Sequence, residues 1–96
     1  MHAHEIPLDQ RARGRRIMSA ESDLPFMTSV KKGAVVTLKR DDLRIMAEIL
    51  EIEEADYFLG QVTDIDGYLH PQMAERVHIG SYLRFQDKHI FTAYAA

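Results

Sequence analysis

One pattern of apolar residues and glycine occurs twice in the chain, and the two copies lie 47 residues apart. Each copy has an apolar residue, a glycine three positions later, two alternating apolar positions, and a further apolar residue after a gap. The alternation is typical of a strand with one buried face, and glycine permits the backbone turn before it. The pattern therefore predicts the short, curved strands of a small β-barrel. The copies are Val30-x-x-Gly33-x-x-Val36-x-Leu38-x-x-x-x-Leu43 and Val77-x-x-Gly80-x-x-Leu83-x-Phe85-x-x-x-x-Ile90.

Length and composition limit the chain to one small domain without disulfide chemistry. Its 96 residues allow a single domain, and an apolar fraction of 46% is enough to form a core. The chain has no cysteine, which excludes disulfides and thiolate zinc sites. No apolar run approaches the roughly 18 residues that a membrane-spanning helix needs, and the N-terminus lacks the pattern of a signal peptide. We therefore expect a cytoplasmic protein with no membrane partner.

The first 29 residues differ from the remainder in their pattern. Pro7, Gly14 and Pro25 interrupt them, and their apolar residues occur in short, separated clusters. Such a segment favours an extended arm over a core element. We therefore predict an N-terminal arm over residues 1–29 and a small β-barrel domain over residues 30–96.

Five segments of the predicted domain have the composition of strands and are bounded by turn residues. Residues 40–42 and Asp66-Gly67 are turn signals, Gly60 predicts a bulge or bend inside a strand, and residues 71–76 predict one helical turn that starts with proline. The sequence therefore predicts a mostly β protein built as a five-stranded barrel. The predicted strands are residues 34–39, 44–52, 57–65, 82–86 and 89–94.

Residues 42–54 allow a second interpretation, an α-helix. Leu43, Met46 and Leu50 fall at helical spacing, and the preceding aspartates are good helix caps. Ile45 and Ile49 lie on another face of that helix, which would be apolar nearly all round and would need deep burial. A domain this small has little room for such a helix, so we favour strands. The alternative is an α+β fold in which this helix packs on an antiparallel sheet.

About half of the chain, residues 46–91, resembles a group of small bacterial domains of unknown function with SH3-like barrels. Ser81 stands where these domains usually have an acidic residue, and no aspartate follows Ile90. The matched residues are turn and core residues, so the resemblance implies a fold and no activity. They are Gly60-Gln61-Val62, Pro71, Gly80-Ser81-Tyr82-Leu83-Arg84-Phe85 and Ile90.

The side chains that usually carry chemistry form no catalytic or metal-binding pattern. No pair among the five histidines has the close spacing of metal ligands. The carboxylate pairs Asp41-Asp42 and Glu53-Glu54 lie in predicted turns, whereas acid–base catalysis needs a carboxylate in an apolar pocket. The sequence has neither a phosphate-binding glycine loop nor a nucleophile motif. We therefore expect no enzyme activity, no metal and no cofactor.

Four arginines lie within six residues of the predicted arm. Residues 1–40 carry eight basic and four acidic residues, a net charge of +4, whereas residues 41–96 carry four basic and eleven acidic residues, a net charge of −7. Guanidinium groups bind phosphates, so contact with nucleic acid is expected only through the arm. The alternatives are an arm in solvent and an arm docked on the acidic surface of the barrel. The candidate phosphate contacts are Arg11, Arg13, Arg15 and Arg16.

Aromatic residues are the best candidates for a protein interface. Side chains alternate along a strand, so Tyr57 and Phe58 point to opposite faces, and one barrel interior covers only one of these faces. The sequence therefore predicts a non-catalytic binding or interaction module that forms a homo-oligomer or binds another protein. The alternative is a nucleic-acid-associated protein that uses the arm, and the second alternative is small-molecule binding at a subunit interface. The candidate interface residues are Tyr57, Phe58, Tyr82, Phe91 and Tyr94.

Overall fold

The computed structural model describes residues 3–11, 18–19, 30–53 and 57–94 of the chain. In these residues seven strands form one sheet with the order β1-β6-β5-β4-β3-β7-β2. The prediction of a mostly β protein is confirmed. Within the described residues no pairing joins the two outermost strands, so the sheet is not closed into a barrel. The strands are β1 (Ala3–His4), β2 (Met18–Ser19), β3 (Val35–Arg40), β4 (Leu43–Ile52), β5 (Tyr57–Asp66), β6 (Tyr82–Gln86) and β7 (Thr92–Tyr94).

The central part of the sheet is an antiparallel meander from β3 to β6, and β7 returns to pair with β3. The favoured interpretation of residues 44–52 as a strand is confirmed and the alternative helix over residues 42–54 is wrong, because β4 occupies residues 43–52. A short helix, Pro71–Ala74, lies where one helical turn was predicted. The predicted last strand, residues 89–94, is shorter than expected, because a 3-10 helix over Asp87–His89 precedes β7.

The core lies on one face of the bent sheet, and burial alternates along each strand. In β4, Ile45, Ala47 and Ile49 are buried, whereas Met46 and Leu50 on the opposite face are half-buried. This alternation shows why the β4 sequence is apolar on both faces. One face packs in the core, and the other is partly covered because β4 lies in the middle of the sheet. The buried apolar residues are Ile6, Ala34, Val36, Leu38, Leu43, Ile45, Ala47, Ile49, Phe58, Val62, Val77, Leu83, Phe85, Ile90 and Ala93.

The two copies of the sequence repeat form the same local structure. Gly33 and Gly80 have φ angles of 92° and 95°, a region that glycine occupies without steric cost. The Gly33 amide donates to the carbonyl of Ile49, and the Gly80 amide donates to the carbonyl of Val62, each over 2.8 Å. Each glycine thus occupies a left-handed turn that joins the start of a strand to the neighbouring strand, as the repeat predicted.

Two irregularities bend the sheet around the core. The pairing of β4 with β5 shifts between Ile49 and Glu51, directly beside Gly60, so the predicted bulge lies in the partner strand. A second shift leaves Thr63 unpaired in β5. Because of this extra residue, Val62 and Ile65 both face the core although three positions separate them.

The N-terminal segment contributes to the sheet and to the core. β1 pairs in parallel with β6, β2 pairs in parallel with β7, and Ile6 is buried in the core. The described part of the predicted arm is therefore docked on the domain through its backbone, and one of its apolar side chains enters the core. The remaining arm residues, 1–2, 12–17 and 20–29, lie outside the described residues.

We expect Gly60→Ala to lower the free energy of unfolding by about 1–3 kcal/mol, as overpacking usually does. A Cβ atom at this position would lie 2.8 Å from the Phe85 ring. In a Phe85→Leu background the ring is gone, so the additional cost of Gly60→Ala should fall. Urea denaturation of the two single variants and the double variant measures this coupling.

Gly80→Ala is the control for that cycle. Gly80 has a positive φ angle, but no atom lies within 4 Å of a Cβ built there. Gly80→Ala should therefore lower the free energy of unfolding through backbone strain alone, and by the same amount in the wild-type and Phe85→Leu backgrounds. An equal cost of Gly60→Ala in both backgrounds would show that the contact with Phe85 does not determine the need for glycine.

Candidate functional site

The side chains that point away from the core form a surface across the five central strands, which we call the outer face. Its members alternate with buried residues along each strand and lie opposite one another in the strand pairing. Because three segments distant in sequence meet here, the outer face is a property of the folded sheet. Its members are Val35, Thr37, Lys39, Arg44, Met46, Glu48, Tyr57, Leu59, Gln61, Tyr82, Arg84, Thr92 and Tyr94.

One row of outer-face residues runs across all five central strands. Val35 of β3 lies opposite Tyr94 of β7 on one side and Glu48 of β4 on the other. Gln61 of β5 continues the row between Glu48 and Tyr82 of β6. The row therefore has a tyrosine at each end and one apolar and two polar residues between them. Aromatic side chains flanked by polar ones are common in protein interfaces.

The structure brings three of the five predicted interface residues to the outer face. Tyr57 and Tyr82 are half-buried there, and Tyr94 is exposed. Phe58 is a correction: it is buried and stacks on Phe85 with 5.9 Å between ring centroids, because it follows Tyr57 and so points into the core. Phe91 is half-buried, and the Lys39 ammonium lies 4.6 Å from its ring centroid.

Most charged side chains near the outer face are paired. The Arg84 guanidinium donates to the Glu53 carboxylate over 3.0 Å and lies over the Tyr57 ring. The hydrogen bond and the negative charge of Glu53 raise the pKa of Arg84. Lys39 and Glu48 differ, since neither forms an ion pair with any described residue. The outer face therefore carries one cation and one carboxylate without an oppositely charged partner, and the cation lies over the Phe91 ring.

Arg11, a candidate phosphate contact, binds the protein itself. Its guanidinium donates over 2.7 Å to both the carboxylate and the backbone carbonyl of Asp87, and over 2.8 Å to the carbonyl of Ile90. The Arg11 side chain is 14% exposed, so it has little surface left for a phosphate. Arg11 thus follows the alternative in which the basic arm docks on the acidic domain. Arg13, Arg15 and Arg16 lie outside the described residues.

A cleft lies at one end of the sheet, where the β3–β4 turn approaches the connection between β5 and β6. Gly67 permits this approach, because a Cβ atom there would collide with the carbonyl of Asp42. The N-terminal segment forms the third wall, and the Asp9 carboxylate holds it in place by accepting from the Asp41 amide over 2.9 Å. The cleft has a volume of about 540 Å³ and is lined by Ile6, Pro7, Arg40, Asp41, Asp42, Leu43, Tyr68, His70, Gln72, Met73 and Arg76.

The cleft combines an apolar floor with charges of both signs. Ile6 and Leu43 are buried in the floor, and Tyr68 is 74% exposed. His70 Nδ1 accepts from the Gln72 amide over 3.2 Å, which leaves the ring proton on Nε2.

Four charged groups line the cleft, and two of them have no partner among the described residues. Arg40 and Asp41 form a long ion pair of 3.9 Å. Arg76 and Asp42 form no side-chain hydrogen bond or ion pair with any described residue. The cleft therefore holds an unpaired guanidinium and an unpaired carboxylate that do not contact each other.

Comparison with known proteins identifies no relative: no protein-family model, curated protein sequence or solved structure matches this chain. Among residues 3–11, 18–19, 30–53 and 57–94, no group of three histidine or acidic side chains is placed to hold a metal ion. No helix in the same ranges is long and apolar enough to span a membrane. The geometry of the outer face and of the cleft is therefore the basis for a functional proposal.

Two features of these surfaces were missed from the sequence. The docking of Arg11 on Asp87 joins residues 76 positions apart, and the cleft is assembled from three distant segments. The opposite net charges of residues 1–40 and 41–96 were the one signal for the first feature. No local pattern marks Tyr68 or Arg76 as neighbours of Ile6.

We expect Arg11→Ala to lower the free energy of unfolding by about 1.5–3 kcal/mol, the range for hydrogen bonds to charged groups. The substitution removes three short hydrogen bonds from a side chain that is mostly buried. Thermal and urea unfolding followed by circular dichroism measure the change.

Arg44→Ala is the matched control, because Arg44 pairs with Asp66 over 3.1 Å but both side chains are more than half exposed. Exposed pairs contribute about 0–1 kcal/mol. Equal destabilisation by the two substitutions would contradict a special role for Arg11 in holding the N-terminal segment.

Proposed function

We propose that this protein is a non-catalytic interaction module of the SH3-like class that self-associates through its outer face. The five central strands and the two register shifts in β5 and β4 support the SH3-like assignment, because a small barrel needs few strands and strong local bends. The observation that carries the function is that Lys39 and Glu48, which form no ion pair with any described residue, lie on one outer face that tyrosines flank.

The two unpaired charges have a spacing that suits contact between two copies. Glu48 lies directly opposite Val35, and Val35 lies four residues from Lys39 along β3. Four residues of strand span about 13 Å. In a two-fold symmetric contact, residue i of the first copy meets residue j of the second, and residue j of the first copy meets residue i of the second. A two-fold axis between the two side chains therefore places each Lys39 against the Glu48 of the other copy.

The remaining outer-face residues suit the same contact. Met46 lies between the two charges, Val35 adds apolar surface beside Glu48, and Tyr82 and Tyr94 lie at the ends of the central row. Tyrosines bury much apolar area on association and keep a hydroxyl for hydrogen bonding. Pairing of Lys39 with Glu48 fixes the register, while the apolar and aromatic side chains provide most of the affinity.

Charge reversal tests this arrangement. We expect Lys39→Glu and Glu48→Lys each to weaken self-association at least about tenfold, because each places like charges opposite one another in both symmetric contacts. The double variant Lys39→Glu with Glu48→Lys restores opposite charges and should recover most of the affinity. Sedimentation equilibrium over a range of protein concentrations measures the dissociation constants.

Glu75→Lys is the control, because it makes the same charge change at an exposed residue after the short helix, away from the outer face. It should leave the dissociation constant nearly unchanged. A protein that stays monomeric at millimolar concentration would refute self-association. A double charge reversal that fails to recover affinity would refute the Lys39–Glu48 contact.

Nucleic-acid binding by the arm has less support than self-association. The proposal relied on four arginines, and Arg11 is committed to Asp87 and to the carbonyl of Ile90. The domain surface that follows is acidic, with a net charge of −7 over residues 41–96, and it repels phosphate backbones. Interaction with protein is therefore the function that we propose.

A further inference from the structure

The cleft at the end of the sheet is a second surface of the molecule, separate from the outer face. Its volume of about 540 Å³ falls within the roughly 300–1,000 Å³ that is typical of small-molecule sites. Apolar side chains form its floor and a few polar groups line its rim, which is the usual composition of such sites. The charges at the rim determine which ligand fits.

We propose that this cleft binds a short peptide with free ends and an apolar side chain. Arg76 and Asp42 line the same cleft, have opposite charges and do not contact each other. A purely anionic ligand would satisfy Arg76 but would meet the carboxylate of Asp42. A peptide of two or three residues carries a carboxylate for Arg76 and an ammonium for Asp42, so it satisfies both.

The other cleft residues suit the body of such a peptide. Ile6 and Leu43 are buried at the floor, and Met73 packs against the core beside them, so an apolar side chain of the ligand finds apolar contacts. The exposed ring of Tyr68 lies at the same cleft and can cover that side chain from the solvent side. The amide of the Gln72 side chain and Nε2 of His70 are available for the peptide backbone.

The test uses the dipeptide Leu-Leu and three blocked forms, which carry an acetylated N-terminus, an amidated C-terminus, or both. Titration of the full-length, isotope-labelled protein is followed by amide chemical shifts. We expect millimolar or tighter binding of Leu-Leu with shifts at Leu43, Gln72 and Arg76. Each single block should weaken binding about tenfold, since each removes one charged contact.

Two substitutions assign the two ends. Asp42→Asn should abolish the difference between Leu-Leu and its acetylated form and keep the effect of amidation. Arg76→Gln should abolish the difference between Leu-Leu and its amidated form and keep the effect of acetylation. Both residues are exposed, and circular dichroism checks that the variants fold. Arg44→Gln is the control, because Arg44 is an exposed arginine that lies outside the cleft, and it should change neither effect.

Three outcomes would overturn the proposal. The first is the absence of chemical-shift changes at millimolar Leu-Leu. The second is equal binding of the doubly blocked dipeptide, which would mean that the floor alone attracts apolar groups. The third is a strong effect of amidation with none of acetylation, which would identify the cleft as a site for anions. None of these results depends on self-association, because the cleft and the outer face share no residue.

Discussion

The structure depends on enclosing a core with a sheet whose side chains alternate between two faces. Such a sheet covers apolar residues on one face only, so it must bend around them. The Phe85 ring packs directly against Gly60, where a Cβ atom would lie 2.8 Å from it. The absent side chain and the adjacent register shift in β4 let β5 and β6 close over the core, and the unpaired Thr63 adds a second bend.

The N-terminal segment covers the two sheet edges that the five central strands leave exposed. The outermost central strands, β6 and β7, would each expose unpaired backbone groups, which promote unwanted association. β1 and β2 pair with these two strands in parallel, so one segment covers an edge on each side. Arg11 binds the turn between β6 and β7 through Asp87 and Ile90. The N-terminal segment that covers the edges therefore also stabilises the return of the chain to β3.

The features that sequence predicted correctly are those that neighbouring residues determine. Gly33 and Gly80 mark turns with positive φ angles, and the apolar alternation after each glycine sets the buried face of the strand. The strand over residues 43–52 was likewise preferred over a helix because a helix would have been apolar nearly all round. These are local properties, so one sequence was enough to infer them.

The errors concern contacts between distant residues. The sequence places Phe58 at an interface because alternation shows only that Phe58 and Tyr57 point to opposite faces. Which of the two side chains faces inward depends on the pairing of β5 with β6, which brings Phe85 beside Phe58. The burial of Ile6 and the docking of Arg11 depend on where a remote segment meets the sheet. No pattern within the segment specifies that position.

The hairpin of β3 and β4 connects the two proposed binding surfaces. Its strands carry Lys39 and Glu48 on the outer face, and its turn carries Asp42 at the cleft. Asp41 in that turn has a φ angle of 52°, an uncommon conformation for a residue with a side chain. The Asp9 carboxylate stabilises it through the Asp41 amide. The Asp9 contact adds to the pairing of Arg40 with Leu43 in positioning the turn, whereas the pairing of the strands alone fixes Lys39 and Glu48. Since Ile6 and Pro7 also line the cleft, the cleft is the surface that is more sensitive to loss of the N-terminal contacts.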